Sequence, residues 1–311
     1  MKQNLSRTRR ALIPALLALV PTIASAVVIN YNDFSSTAGL QLNGSAAAAI
    51  DDDGRNVLRL TPSAAGQGGS AFSQTQVILA NQASFSTVFS FRLTNPGGIN
   101  QNGPGADGLV FVVQNVANNV GGVGGGLGYA GIPTSVGVEF DSFQNNDIND
   151  NHVGIDINGD VTSTAANAVS LDPLGKLDQT DGIDRIWYSW VDYNGLTDLL
   201  EVRVANALVN APAPARPAAA IISAVIDIPT ILGDTDAFVG FTAATGSAFN
   251  NHDILSWGFR GDFDPFPNPT PNVPESDVRT VAMLAILGLF GCHFYLRRPQ
   301  ARLSLAKRKN R

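Results

Sequence analysis

The residues best suited to chemistry lie in one stretch, Glu139 to Asp156, which reads EFDSFQNNDINDNHVGID. Glu139 and Asp141 flank Phe140. On an extended strand side chains alternate with a period of two, so both carboxylates leave the same face. An Asn/Asp-rich loop follows at once, and His152 opens the next strand-like run. Carboxylates, an Asn amide oxygen and a backbone carbonyl are hard donors suited to Ca2+. One His among carboxylates suits a neighbouring transition ion such as Mn2+. Asp141 is placed to bridge two ions. By spacing alone the stretch fits equally an Asx-rich turn that satisfies its own backbone, with His152 a hydrogen-bonded loop residue.

The elements that must position these groups are short β-type runs separated by Gly, Asn, Asp and Pro. They include residues 83–93 (ASFSTVFSFRL), 108–114 (GLVFVVQ), 135–141 (SVGVEFD), 153–158, 185–193 and 199–204. Apolar and polar residues alternate through Phe85 to Phe91 and through Trp187 to Val191. Asn194-Gly195 between two such runs is a hairpin signal. No segment repeats apolar residues at helical spacing over three turns. Many short strands with turn-rich joints predict an all-β sandwich, as one domain over residues 27–264. Residues 211–220 (APAPARPAAA) are low in complexity and read as a surface loop within that domain.

Four blocks resemble the legume lectins, the L-type lectin family, in that family's order. Residues 135–145 (SVGVEFDSFQN) with 152–158 (HVGIDIN) resemble its metal-binding signature. Ala106-Asp107-Gly108 with the following LVFVV resembles its first sugar-binding loop, and GGGLGY at 124–129 its second. FVGFTAATG at 238–246, followed by HDILSW at 252–257, resembles the end of the domain, with a fourth loop at Gly246-Ser247-Ala248. The resemblance covers essentially all of 27–264 and is nearest to the bacterial members. It implies a concanavalin-A-like jelly-roll sandwich. It implies that Glu139, Asp141 and His152 bind Mn2+ or another transition ion, while Asp141, the Phe143 carbonyl and Asn145 bind Ca2+. The remaining shared carboxylate is Asp147 by its spacing from His152, with Asp150 as the rival by longer loops. The sugar site it implies comprises Asp107, Gly125, Gly126, Phe143, Asn145, Ser247 and Ala248. Asp107 would accept from two hydroxyls, Gly125 N–H and the Asn145 amide would donate, and Phe143 would stack. The resemblance also implies a cis Ala106-Asp107 peptide.

The same sandwich hosts glycoside hydrolases, and Glu139-Phe140-Asp141 resembles the Glu-x-Asp-x-Glu strand of retaining β-glucanases. That chemistry needs two carboxylates flanking the bond. Phe143 and Gln144 stand where the second Glu should be, and Glu201 is the only other Glu in 27–274. A lectin is therefore expected, not an enzyme. The remaining alternative is a structural matrix or adhesion protein without a sugar site.

Composition agrees. Residues 27–274 hold eight Lys/Arg against 24 Asp/Glu. Such an acidic domain excludes nucleic acid, whose phosphates require basic clusters, and suits cation binding. Cys292 is the only cysteine, so neither disulfides nor a thiolate metal site is expected.

The ends carry targeting signals. Residues 1–26 run from Lys2, Arg7, Arg9 and Arg10 through an apolar core to Ala24-Ser25-Ala26, the order of a secretory signal peptide. Residues 265–277 form a Pro-rich linker. Residues 278–296 are expected to be a membrane-spanning helix, and the basic tail 297–311 should stay cytoplasmic. Val273-Pro274-Glu275, the span and Arg297-Arg298 resemble the PEP-CTERM sorting signal of Gram-negative bacteria, which an exosortase reads. Ser276 stands where a second Pro is usual, and the basic tail is longer than usual. The expected location is the membrane first, then the cell surface or extracellular matrix. The expected partners are a glycan, the membrane and an exosortase, and an oligomer is compatible with the reading.

Overall fold

The computed structural model describes residues 27–99 and 103–267. The leader, most of the Pro-rich linker, the apolar span and the basic tail lie outside the described residues. No helix among the described residues is long and apolar enough to cross a membrane.

Among the described residues the chain forms sixteen strands. They are β1 (Val28–Tyr31), β2 (Leu40–Gly44), β3 (Ala47–Ile50), β4 (Asn56–Thr61), β5 (Gly68–Ser73), β6 (Val77–Ile78), β7 (Phe85–Gly98) and β8 (Gly108–Gln114). The second half adds β9 (Ser135–Asp141), β10 (His152–Ile157), β11 (Ala168–Ser170), β12 (Arg185–Asn194), β13 (Leu199–Leu208), β14 (Ile222–Val225), β15 (Asp236–Ala244) and β16 (Ala248–Arg260). One short helix, α1 (Ile228–Leu232), has Asp227 as its N-cap and Gly233, with positive φ, as its C-cap. The front sheet has the order β11-β10-β9-β8-β15-β5-β2, with β6 pairing β15. The back sheet has the order β14-β13-β12-β7-β16-β4-β3, with β1 pairing β16.

The two inner faces meet in an aromatic core. Phe91 on the back sheet lies 4.7 Å from Phe140 on the front, and Phe241 lies edge-on to Trp257 at 5.0 Å. Each ring buries a large apolar area and adds a favourable edge or offset contact. Because Phe140 points inward, Glu139 and Asp141 must point outward from the front sheet. The strands predicted from alternation all form, and several run a few residues further. β7 extends to Gly98 and β13 to Leu208.

The segment 211–220 carries no strand and holds no buried residue, as expected of a surface loop. Ala213 packs against the apolar cluster on the outer face of the back sheet, to which Tyr188 and Trp190 belong, and Arg216 reaches the buried Asp192 at 2.5 Å. Phe266 covers the same face beside Gly258, with Arg260 over its ring at 4.0 Å. Beside it, Arg92 binds Asp51, Asp53 and Asp184.

Candidate functional site

Antiparallel pairing of β9 with β10 sets His152 opposite Asp141 and Gly154 opposite Glu139. Ligand atoms of Glu139, Asp141 and His152 lie within 4.8 Å of one another, and all three residues are buried. His152 Nδ1 lies 3.0 Å from the Asn149 carbonyl, to which it donates in the tautomer that leaves Nε2 facing Glu139 Oε1 at 3.2 Å. Glu139 Oε2 is buried with no hydrogen-bond partner, and so is Asp147 Oδ2. Buried carboxylate oxygens without partners are costly. A ring of them around an imidazole nitrogen lone pair is the donor set of a divalent cation. The residues present therefore fit a metal.

The two rival carboxylates part company here. Asp150 is taken by Lys176 at 3.1 Å. Asp147 Oδ1 accepts from Ser163 N–H at 2.8 Å, and its charge pushes the Asp141 pKa up, behind burial and Glu139. The far half of the loop is held independently of any ion. The buried Asn151 donates to Asp172 Oδ1 and the Gly175 carbonyl and accepts from Leu177 N–H.

Three site residues escape the sequence reading. Asp156 follows His152 and Gly154 on the same face of β10, and both its oxygens are buried without partners. The period-two alternation contains that signal. Ser163, whose hydroxyl bonds Glu139 Oε1, comes from the loop after β10, and nothing local marks it. Gly154 is the third. A Cβ there would stand 2.4 Å from Glu139 Oε1 and 2.9 Å from Ser163 Oγ. Gly154→Ala should therefore displace Glu139 and weaken divalent-cation affinity by about 10–100-fold, the usual effect of disturbing a ligand's support. Calorimetric titration of Ca2+ and Mn2+ checks this, and unchanged affinity in the variant would refute it.

Beside the cluster, three loops meet around Asp107. The Ala106-Asp107 peptide is cis. The Asp107 carbonyl accepts from Ser142 N–H at 2.9 Å, and its N–H donates to Ala244 O at 3.2 Å. Its side chain is 3% exposed and Oδ2 has no partner. Burial pushes its pKa up to about 7. A Cβ on Gly246 would lie 3.5 and 3.7 Å from its two oxygens, so the fourth loop passes over the carboxylate with room to spare. Gly124 N–H donates to the Thr245 carbonyl, joining the second and fourth loops. Asn145 is exposed and its amide reaches the Gly125 carbonyl at 3.3 Å. Gly126 is part of the same 3-10 turn, Gly124–Gly126. Phe143 is half-buried and its N–H donates to Asp141 Oδ1 at 2.6 Å. Ser247 is exposed. Ala248 is 2% exposed and pairs with Gly98, so it is closed to a ligand.

The electrostatics predict how the metal-free chain responds to pH. Burial, first, and the Glu139 charge, second, push Asp141 and Asp156 well above the carboxylate range. A carboxylate raised on folding contributes stability that is complete below its unfolded pKa and lost as pH rises through its folded one. The buried His252, pushed down to about 3, acts oppositely, but only below its unfolded pKa of about 6.5. The clean window is thus roughly pH 6.5 to 8.5. With chelator, Tm should fall as pH rises across it. With saturating Ca2+ the fall should vanish, because the cation stabilises ionised carboxylates. Thermal melts at several pH values test this, and a chelated chain whose Tm rises over that window would contradict it.

Among solved structures, the basic winged bean lectin with Tn-antigen matches with a TM-score of 0.59 and 28% identity, over 76% of this chain and 98% of that one. The winged bean acidic lectin complexed with methyl-α-D-galactose matches with a TM-score of 0.60 and 25% identity, over 77% and 100%. The L-type lectin-domain containing receptor kinase VIII.1 of Arabidopsis thaliana is 35% identical over 58% of this chain, and this chain spans 24% of that protein's length. Receptor kinase I.7 of the same plant is 31% identical over 83% of this chain, which spans 39% of it. The likeness is thus to the lectin part of longer relatives, and it points to a carbohydrate-binding domain without enzymatic activity. Residues 26–274 match the legume lectin domain, and the chain belongs to that family.

Proposed function

We propose that the chain is an exported, divalent-cation-dependent glycan-binding protein. The observation that carries this is the buried, unpartnered Asp107 carboxylate at the meeting of three loops, beside the Glu139–Asp141–His152 cluster. Asp107 accepts from two adjacent sugar hydroxyls, Gly125 and the Asn145 amide donate, Phe143 offers a ring face, and Ser247 borders the opening. Glu139, Asp141, Asp147 and His152 hold a transition ion such as Mn2+. Asp141, Asp147, the Phe143 carbonyl and Asn145 hold Ca2+. Asp147 serves as the shared carboxylate because Lys176 neutralises Asp150. The cations keep these carboxylates ionised and fix the 143–147 loop, and so the position of Asn145. An array of galactosides, N-acetylgalactosaminides, mannosides, glucosides and fucosides, probed with and without EDTA, tests the reading. Absence of any cation-dependent signal would remove it.

The fold suits display on a surface. β16 starts at Ala248 beside the fourth loop and ends at Arg260, a strand of thirteen residues. At about 3.3 Å per residue that is roughly 40 Å. Val28 pairs with Arg260, so both described ends leave at the pole far from Asp107. A span at 278–296 followed by the basic tail then holds the pocket outward. An exosortase acting on the PEP-CTERM-like segment releases the domain to the surface or matrix. Mass spectrometry of the mature C-terminus is expected to end near Pro274. Recovery of peptides covering Leu296 to Arg302 from extracellular material would exclude processing.

A further inference from the structure

Asn250 lies on β16, on the back sheet, two residues after Ala248, and is not itself among the residues that the resemblance assigns to metal or sugar. It is fully buried. Its Oδ1 accepts from Ala106 N–H at 2.9 Å, and its Nδ2 donates to the Thr94 carbonyl at 3.3 Å. Around it the first loop is tied to the back sheet at a second point, where Gly105 N–H donates to Gly97 O at 3.2 Å. The same strand ends carry the fourth loop, because Ala248 pairs with Gly98 and Phe249 with Gly97. A Cβ on Gly97 would meet the Phe249 ring at 2.3 Å, and one on Gly98 would meet the Ser247 carbonyl at 2.1 Å. A Cβ on Gly105 would meet Asp178 Oδ2 at 2.7 Å and Asn250 Oδ1 at 3.0 Å. The first and fourth loops thus rest on one packed strand end, with no room for adjustment behind them.

We infer that Asn250 is the positioning residue of the sugar site, holding Asp107 in register with the fourth loop through the Ala106 amide. The inference rests on the glycan-binding reading above and deepens it. The physical reason is the accounting of backbone donors. Ala106 N–H is buried, so it must have an acceptor. Asn250 supplies one from a rigid strand, whereas a loop acceptor would move with the loop. An Asn can accept and donate at once, so one side chain ties the first loop to β7. Because Ala106 directly precedes Asp107, any displacement of that amide moves the carboxylate that must meet two hydroxyls together.

The test uses the full chain with Ca2+ present and two variants. Asn250→Leu keeps the volume but removes both hydrogen bonds. Asn250→Asp restores them, because a buried carboxylic acid stays protonated and then accepts from Ala106 and donates to Thr94. The first readout needs no sugar. Hydrogen exchange at the Ala106 amide, resolved by fragmentation mass spectrometry, should be slow in the parent, at least tenfold faster in Asn250→Leu, and slow again in Asn250→Asp. The second readout is retention on immobilised galactose, N-acetylgalactosamine, mannose, glucose and fucose. Asn250→Leu should bind at least tenfold more weakly, and its loss should not add to that of Asp107→Ala in the double variant. Additive losses, or full affinity in a folded Asn250→Leu chain, would overturn the inference. If that variant fails to fold, a freely exchanging Ala106 amide in the parent would overturn it too. A parent that binds none of the five sugars, with Ala106 protected as described, would instead count against the glycan reading.

Discussion

Chelation should abolish glycan binding, lowering affinity at least about a hundredfold, or roughly 2.7 kcal/mol. Glu139, Asp141, Asp147, Asp156 and Asp107 converge with no Lys or Arg paired to any of them among the described residues. Without a cation these groups repel one another when ionised, and burial, with the Glu139 charge, raises Asp141 and Asp156 and so favours their protonated forms. Either response disturbs the segment from Asp141 to Asp147, on which Phe143 and Asn145 ride. Asn145 is exposed, and its link to the Gly125 carbonyl is long at 3.3 Å. Such a bond is too weak to fix the amide by itself. The half of the loop around Asn151 is bound to Asp172, Gly175 and Leu177 and should stay in place. Hydrogen exchange should therefore rise over 142–148 and change little over 149–152 on adding EDTA, and both effects should reverse with Ca2+. Retention of glycan with unchanged affinity in EDTA would exclude the metal from the binding mechanism.

Asp107→Ala should cost nearly as much binding and none of the fold. A hydrogen bond to a charged acceptor contributes about 1.5–3 kcal/mol, so losing two such bonds should reduce affinity by a factor of about a hundred or more. Asp107→Asn should fall between, because neutral acceptors are roughly half as strong. The response of stability separates this residue from a structural carboxylate. Its Oδ2 has no partner and burial lifts its pKa to about 7. Keeping it ionised above that pH is a cost that alanine removes. The metal-free variant should accordingly melt at the same temperature as the parent or higher at pH 8. Asp51 and Asp253 provide the contrast, since each is paired with a buried or half-buried Arg and its removal should lower Tm. An Asp107→Ala chain that melts lower while keeping full glycan retention would reverse the assignment.

Much of this protein follows from local pattern. Alternation about Phe85 to Phe91 and Trp187 to Val191 specifies strands with one buried face, and the sandwich is the way to bury those faces against each other. The same alternation sends Glu139 and Asp141 outward together, and antiparallel pairing of β9 with β10 sets His152 opposite Asp141. Asp156 obeys that rule as well. It is two residues beyond Gly154 on one face, and period two alone suffices to find it.

Other features depend on partners that no local pattern names. Lys176 takes Asp150 from twenty-six residues away. Ser163 reaches Glu139 only because its loop folds over β10. Asn250 meets Ala106 across 144 residues, between strand ends that belong to different sheets. Ala248 reads as a binding-loop residue, but pairing with Gly98 buries its side chain. The Ala/Pro-rich segment reads as surface and lies there, but its Arg216 pairs with the buried Asp192 from twenty-four residues away. The reason is common to all of these. Alternation and turn chemistry act over a few residues and determine which face a side chain takes. Whether that side chain is then solvated, paired or left as a buried charge depends on what packs over it, and only the tertiary structure brings those distant segments together.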